Sequence, residues 1–427
     1  MRRTGIAMVC LGACTVEPLP PPGQLLLFVD TDAVVPGEAR APRFDRVEIA
    51  VFAPGATEPC DGCTRAFAVD TQAFRDRRVS VGIPRTATTE GFRARVRLYW
   101  AGEAGVPRPT YTIERTIALP PRGESEVREV WVYLPTEGVA RPAGTLSAPQ
   151  APDARTAESR VGTFRLAGPI PCGLHPNEPA AVCVPGGTFW MDRSDSLTAV
   201  SPFWIDATEV TVRSARALGA RFLEPPPSEV TAPSTNYCTA KAKDDLLPAN
   251  CIRTTQAAAV CEARGGRLPT EAEWEYLASQ LGASRFPWGN DAPTCEDAVV
   301  GRGEGVEPIG AVFCTRLDAV KHPPGPTRVA GPGAPHGRDV VHLPGGDVFD
   351  LGGNMGELVA DDAALVGGPC WAPGGLRIDP RCVDPARSEL SNARGGSYFF
   401  PRFAGSPFPG RTPSSFERGF RCAYPAR

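Results

Sequence analysis

Between residues 24 and 134, apolar side chains recur at every second position in short runs. Val47, Ile49 and Val51 share one face of 46–52, and Phe92, Ala94, Val96, Leu98 and Trp100 share one face of 92–100. A period of two marks a strand with one buried side. Seven runs have strand character: 24–30, 46–52, 65–70, 78–83, 92–100, 112–119 and 127–134. Turn signals separate them and no helical period intervenes, so residues 24–135 predict an all-β antiparallel sandwich. Arg93, Arg95 and Arg97 alternate with the apolar face and offer an anion-binding stripe. Alternation alone places polar residues outward, which favours a solvated sheet face.

The pattern then changes. Residues 136–162 are rich in Ala, Pro, Thr and Ser without a sustained apolar period, and read as an interdomain linker. A second domain is expected over 163–427, with two helices, 254–264 and 270–280. Thr270 followed by Glu273 forms a capping box at the start of the second helix, preceded by Pro269. Glu271 and Glu275 lie four apart there. They offer an acid/base pair, but a solvated first turn favoured by the helix dipole is the expected reading. Trp274 between them is expected to be a core anchor.

Composition adds two constraints. Pro and Gly supply 47 and 45 of 427 residues, so much of the backbone runs as turns and loops. The formal net charge of −3 gives no cationic excess to neutralise a phosphate backbone, which argues against nucleic acid as a partner.

The chain begins Met1-Arg2-Arg3, continues with an apolar run over 5–11 and reaches Leu11-Gly12-Ala13-Cys14. A charged start, an apolar stretch and small residues before a cut are the parts of a signal peptide. Residues 1–13 resemble a bacterial lipoprotein signal with its lipobox, which implies that Cys14 becomes the first mature residue and carries lipid through its sulfur. Residues 14–23, with the proline run 18–22, read as a tether. No stretch approaches the apolar length needed to span a bilayer, so membrane attachment is expected through lipid alone. The expected location is the bacterial cell envelope, periplasmic or surface-exposed.

Of fourteen cysteines, twelve remain after Cys10 and Cys14. An even number in an oxidising compartment suggests six disulfides holding a loop-rich fold, although counting does not give the connectivity. Proximity suggests Cys60 with Cys63, Cys172 with Cys183, Cys238 with Cys251, Cys295 with Cys314 and Cys370 with Cys382. Cys261 and Cys422 then remain. Cys60-Asp61-Gly62-Cys63 also matches a redox motif or half a zinc site. A redox centre needs its first cysteine at a helix N-terminus, whereas Asp61-Gly62 reads as a turn, so a local disulfide is expected.

The C-terminal half contains Val184-Pro-Gly-Gly-Thr-Phe-Trp-Met191, Phe203-Trp-Ile-Asp-Ala-Thr-Glu-Val-Thr211 and Gly266-Arg-Leu-Pro-Thr-Glu-Ala-Glu-Trp-Glu-Tyr276. Phe286-Pro-Trp-Gly-Asn290, Phe349-Asp-Leu-Gly-Gly-Asn-Met-Gly-Glu357, Arg394-Gly-Gly-Ser-Tyr398 and Gly419-Phe-Arg-Cys422 follow in order. Together, over about 163–427, they resemble the formylglycine-generating enzyme family, the sulfatase-modifying factors. The resemblance implies a loop-rich α+β fold related to C-type lectins, and a Cys261–Cys422 disulfide.

Departures from the family bear on function. In active members two cysteines, two and seven positions after the Arg-Gly-Gly-Ser-Tyr motif, bind copper and drive oxygen-dependent oxidation of a substrate cysteine. Phe400 and Gly405 stand there, and neither donates thiolate sulfur, so copper is not expected. The family's active-site tryptophan falls at Gly356. Ser397 remains, but a lone serine without a base is weak ground for nucleophilic chemistry. Iron held by three histidines is another chemistry of this fold, and His175, His322, His336 and His342 lack its helical spacing. The family's calcium site maps onto Asp350, Gly353, Met355 and Glu357, two carboxylates and two carbonyls that suit a hard cation. A second calcium site has Val299 where asparagine is usual.

The expected function is a lipid-anchored envelope protein whose family domain is a pseudoenzyme that binds a ligand or an envelope protein. The competing expectations are an oxidoreductase or protein-modifying enzyme with altered metal chemistry, and a purely structural envelope component.

Overall fold

The computed structural model describes residues 24–426 except 39–41, 84–90, 102–111, 122–126, 140, 167, 192–195, 224–237, 292–293, 304–312, 330–336, 365–367, 373, 385–390, 400–407 and 410–415. The expected signal peptide, Cys14 and the tether lie outside the described residues, as do Phe400, Gly405 and His336.

All seven expected strands form: β1 (Leu25–Thr31), β2 (Arg46–Phe52), β3 (Thr64–Ala68), β4 (Ser80–Ile83), β5 (Arg93–Tyr99), β6 (Ile113–Ala118) and β7 (Arg128–Leu134). They make one sheet in the order β4-β1-β7 and another in the order β3-β2-β5-β6. The inward sets of both sheets, among them Leu27, Val29, Ile49, Val51, Val96, Leu98, Ile117 and Val132, join one buried cluster. Side-chain alternation does this directly, because one face of each strand must leave water.

Two details differ from expectation. β1 pairs with β7 in parallel, Leu27 opposite Val130, so the region is not wholly antiparallel. Alternation sorts faces and carries no strand direction. A short helix α1 (Thr71–Arg75) also intervenes, capped by Asp70, which accepts from the Ala73 N–H at 2.6 Å.

The arginine stripe of β5 is not a bare solvated face. Arg97 pairs with Glu114 and Glu48, Arg93 donates to the Leu146 carbonyl at 2.6 Å, and Arg95 lies 5.0 Å over the Phe52 ring. Residues 136–162, expected as a linker, follow the edge strand: Val139, Ala143 and Gln150 bridge Ile113, Arg115 and Ile117 of β6. This segment covers backbone groups that an edge strand otherwise exposes.

The C-terminal region contains β8 (Ala181–Val184), β9 (Gly187–Met191), β10 (Ser196–Val200), β11 (Phe203–Asp206), β12 (Val340–Leu343), β13 (Gly346–Phe349), β14 (Gly356–Asp362), β15 (Arg377–Ile378), β16 (Ser391–Arg394), β17 (Phe408–Pro409), β18 (Arg418–Gly419) and β19 (Ala423–Pro425). They form the sheets β15-β10-β9, β19-β11-β8 and β17-β16-β14-β18, with β12-β13 as a hairpin. Its helices are α2 (Val212–Ala217), α3 (Thr254–Ala263), α4 (Glu271–Ala278) and the single turn α5 (Cys314–Leu317). α3 and α4 occupy the expected positions; α2 was not expected.

Strands this short cannot bury a large continuous face, and six disulfides add ties across the chain. These are Cys60–Cys63, Cys172–Cys183, Cys238–Cys251, Cys261–Cys422, Cys295–Cys314 and Cys370–Cys382. Cys261–Cys422 joins α3 to the residue just before β19 across 161 residues.

The two regions touch through Arg43. Its guanidinium donates to the carbonyls of Thr188 and of Leu281 and Gly282 beyond α4, while Trp190 Nε1 donates back to the Arg43 carbonyl at 3.3 Å. Burial pulls the Arg43 pKa down to about 10. Phe44 packs edge-on against Trp190, and Trp190, Leu197 and Leu376 join the N-terminal cluster.

Candidate ligand site

The motifs quoted from the C-terminal half turn toward one another around α4. The capping box forms as expected: Thr270 Oγ1 accepts from the Glu273 N–H at 3.2 Å and Glu273 Oε2 accepts from the Thr270 N–H at 2.8 Å. Arg267 completes it by pairing with Glu273. The expectation of a solvated first turn fails for the other two glutamates. Glu271 is wholly buried and Glu275 nearly so, and both grip Arg394, at 3.1 and 2.5 Å. Asn392 adds a hydrogen bond to Glu271 at 3.0 Å. The partners lie more than a hundred residues away on β16, so local spacing shows only the acidic half of this triad.

Trp274 is a core anchor, fully buried, and its Nε1 donates to Glu357 at 2.8 Å. Gly395, at φ 87°, lets the chain pass this indole, since a Cβ there would stand 3.0 Å from the ring and 2.8 Å from the Leu351 carbonyl. Glu357 also accepts from Arg421 Nε on both oxygens, at 2.8 and 2.7 Å. Arg421 in turn donates to the carbonyls of Asp206, Ala207 and Phe349, tying three chain segments together.

The expected calcium ligands lie in this same buried region. Glu357 has its charge matched by Arg421 and accepts from Arg421 and Trp274. Asp350, Gly353 and Met355 lie on one buried loop beside it. The Met355 N–H donates to Glu209 at 3.0 Å and Asn354 Nδ2 donates to the same carboxyl at 2.9 Å, so that loop is held by protein groups. Glu209 is pushed well above the usual carboxylate range by burial, with the Asp350 and Glu357 charges adding to the rise. Asp339, which accepts from the Gly352 N–H, is raised by burial and by Asp350. Among the described residues no three His, Cys, Asp or Glu side chains form a metal-holding group. Three histidines are described, each with its own surroundings: His175 against Trp204, His322 beside Glu296 and His342 beside Asp347.

Beyond this polar core lies Gly356, where the family has its active-site tryptophan. Gly356 pairs with Arg418 of β18, and the Tyr398 N–H donates to the Asn354 carbonyl at 2.7 Å. A Cβ at Gly356 would meet nothing nearer than 3.6 Å, so the absent indole is a matter of sequence and not of crowding at the Cβ. Met355, Tyr398 and Val299 form the apolar floor, with Phe399 and Phe416 packed on it. The rings of Phe399 and Phe416 meet edge-on at 5.4 Å, and Phe313 lies edge-on to Phe399 at 6.3 Å.

Ser397 is not alone. Its hydroxyl donates to Glu417 Oε2 at 2.8 Å, a contact that a separation of 20 residues hides from a reading of the sequence. Two cations adjoin the patch and were not singled out by sequence: Arg418, whose pKa burial lowers, and Arg302, whose N–H donates to the Tyr398 carbonyl at 2.6 Å. The chemistry on offer is a hydroxyl–carboxylate pair, aromatic walls and guanidinium groups. No thiolate is among them, since Cys314, Cys370, Cys382 and Cys422, the cysteines nearest in sequence, are all held in disulfides.

Six disulfides fit an oxidising, extracytoplasmic compartment. No described helix is long and apolar enough to cross a membrane. No curated protein sequence matches the chain. Among solved structures, PvdO from Pseudomonas aeruginosa is 19% identical, with 59% of this chain covering 98% of that one at a TM-score of 0.39. CarF is 17% identical, with 58% covering 98% at a TM-score of 0.34. Treponema denticola variable protein 1 is 16% identical, with 57% covering 94% at a TM-score of 0.39. The model of the sulfatase-modifying factor enzyme 1-like domain matches residues 173–426, more than half of the sequence, and the chain therefore belongs to that family, the formylglycine-generating enzyme family.

Proposed function

We propose that this is a lipid-anchored protein of the bacterial cell envelope with two domains, a sandwich over 24–135 and a non-catalytic family domain over 163–427 that binds a ligand or an envelope protein. The family domain is assigned the fold related to C-type lectins, and Cys14 the lipid. The observation that carries the non-catalytic reading is the cysteine inventory. Phe400 and Gly405 occupy the family's copper positions, and all twelve cysteines between 24 and 426 are paired in disulfides. A disulfide sulfur is not a thiolate donor, so the domain lacks the soft ligands that copper(I) requires.

Titration of the oxidised protein with copper(I) against a chelating competitor tests this, and no transfer of metal to the protein is expected. Stoichiometric uptake would refute the reading. Replacement of Cys14 by serine tests the anchor, with loss of lipid labelling and release from membranes expected. The Ser397–Glu417 hydrogen bond favours a second reading, a hydrolase-like use of the same face. Covalent labelling of Ser397 by a fluorophosphonate probe would bring it forward.

A further inference from the structure

Arg302 is 8% exposed, yet it lacks the partners that accompany the other deeply buried arginines. Arg394 holds two glutamates, Arg421 holds Glu357, and Arg43 lies against carbonyl groups. The Nε of Arg302 is buried with no hydrogen-bond partner, and its side chain forms no ion pair with a described residue. Its backbone is fixed, because its N–H meets the Tyr398 carbonyl and its own carbonyl accepts from Gly325 at 3.2 Å. The next residue, Gly303, lies against Phe399, where a Cβ would meet the ring at 2.7 Å. Burial lowers the Arg302 pKa and Asp350 offsets this through space. A guanidinium remains charged even so, which leaves a largely buried cation whose Nε–H makes no hydrogen bond.

We propose that Arg302 anchors a ligand site on the aromatic face of the family domain, binding the carboxylate of a small organic acid that carries an apolar or aromatic group. This deepens the ligand-binding function proposed above and rests on it. A carboxylate presents two coplanar oxygens that match the side fork of Nε and one terminal nitrogen. Phe399, Phe416 and Phe313 supply an apolar surface beside it. Asp350 and Glu417 lie in the same region and disfavour a dianion such as phosphate. Two sources share this chemistry: a free aryl acid and the C-terminus of a peptide ending in an aromatic residue.

The test is a thermal-shift titration of the full chain with phenylacetate, N-acetylphenylalanine, N-acetylphenylalanine amide and inorganic phosphate. A rise in melting temperature with either carboxylate, and none with the amide, is expected. A tighter response to N-acetylphenylalanine assigns the peptide source, and a tighter response to phenylacetate assigns the free acid. Arg302→Lys keeps the charge without the fork and should weaken binding about tenfold to a hundredfold. Arg302→Met should abolish the response and, without ligand, melt no lower than the parent, because no ion pair with a described residue is broken and Met removes a buried cation. Carboxylates without effect, an equal response in Arg302→Met, a stronger response to phosphate, or a marked destabilisation of unliganded Arg302→Met would each overturn the assignment. Copper-dependent oxidation of a peptide cysteine would instead end the non-catalytic reading and leave the carboxylate response standing on its own.

Discussion

The two regions of this molecule are stabilised by different physics. Over 24–134 the core is almost wholly aliphatic and aromatic, the ion pairs stay partly exposed, as for Arg97 with Glu48 and Glu114, and the single disulfide closes a three-residue separation. Over 172–426 the strands are two to seven residues long, five disulfides recur, and charged groups lie at the centre. Arg421–Glu357 and Arg394 with Glu271 and Glu275 are essentially sealed from water. Long alternating strands satisfy their own backbone through ladders and need only greasy faces to pack. A loop-rich chain has no such ladder, and a buried guanidinium that reaches three carbonyls, as Arg421 does, takes over part of that task.

Deleting Cys261–Cys422 should separate the regions most strongly. Replacement of both cysteines by alanine should cost about 5 kcal/mol in the chain-entropy model, against about 2 kcal/mol for Cys60 and Cys63. Urea unfolding with tryptophan fluorescence reads both, and equal losses would break the comparison.

Arg421→Met should come next, at about 3–5 kcal/mol, because Glu357 is left as a buried charge without its partner. Adding Glu357→Gln should recover part of that loss. Arg97→Ala, on the exposed rim of the other region, should cost no more than about 1 kcal/mol. Chemical denaturation of the three variants measures the contrast.

The contact between regions is smaller still. Arg43→Ala strands the carbonyls of Thr188, Leu281 and Gly282, and a loss of about 1–3 kcal/mol is expected. Faster proteolysis between the regions, with each left intact, would identify the contact as the site of the loss.

The gentlest perturbation is pH. Burial pushes Asp361 from 3.8 up to about 7, against the hydrogen bonds it accepts from the N–H groups of Glu271 and Cys382. Its folded value lies above its unfolded one, so its contribution is intact below the unfolded value and is lost as pH rises through about 7. Stability of the C-terminal region should therefore decline over that window, and Asp361→Asn should flatten the decline in melting curves taken across it.

What the sequence discloses follows the same division. Alternation located all seven N-terminal strands, because that signal is local and physical, yet it could not show that β1 and β7 run parallel. The five-residue α1 is too short for a helical period. The capping box at Thr270 is legible because both halves lie within one turn. Glu271 and Glu275 read as solvated from local spacing because Arg394 lies on another strand, and Arg421, the partner of Glu357, is equally remote in sequence. Glu417 and Arg302 carry no local mark at all; their significance comes from Ser397, Tyr398 and Phe399, which only folding brings beside them.

The central claim is that these family motifs build a scaffold from which copper-dependent oxidation has been lost. Incubation of a sulfatase-type cysteine peptide with the purified protein, copper and oxygen tests it most directly, with mass spectrometry of the peptide and an active family member as positive control. Unchanged cysteine in every sample except the control is the predicted result. A copper-dependent aldehyde product above the sample without protein would contradict it.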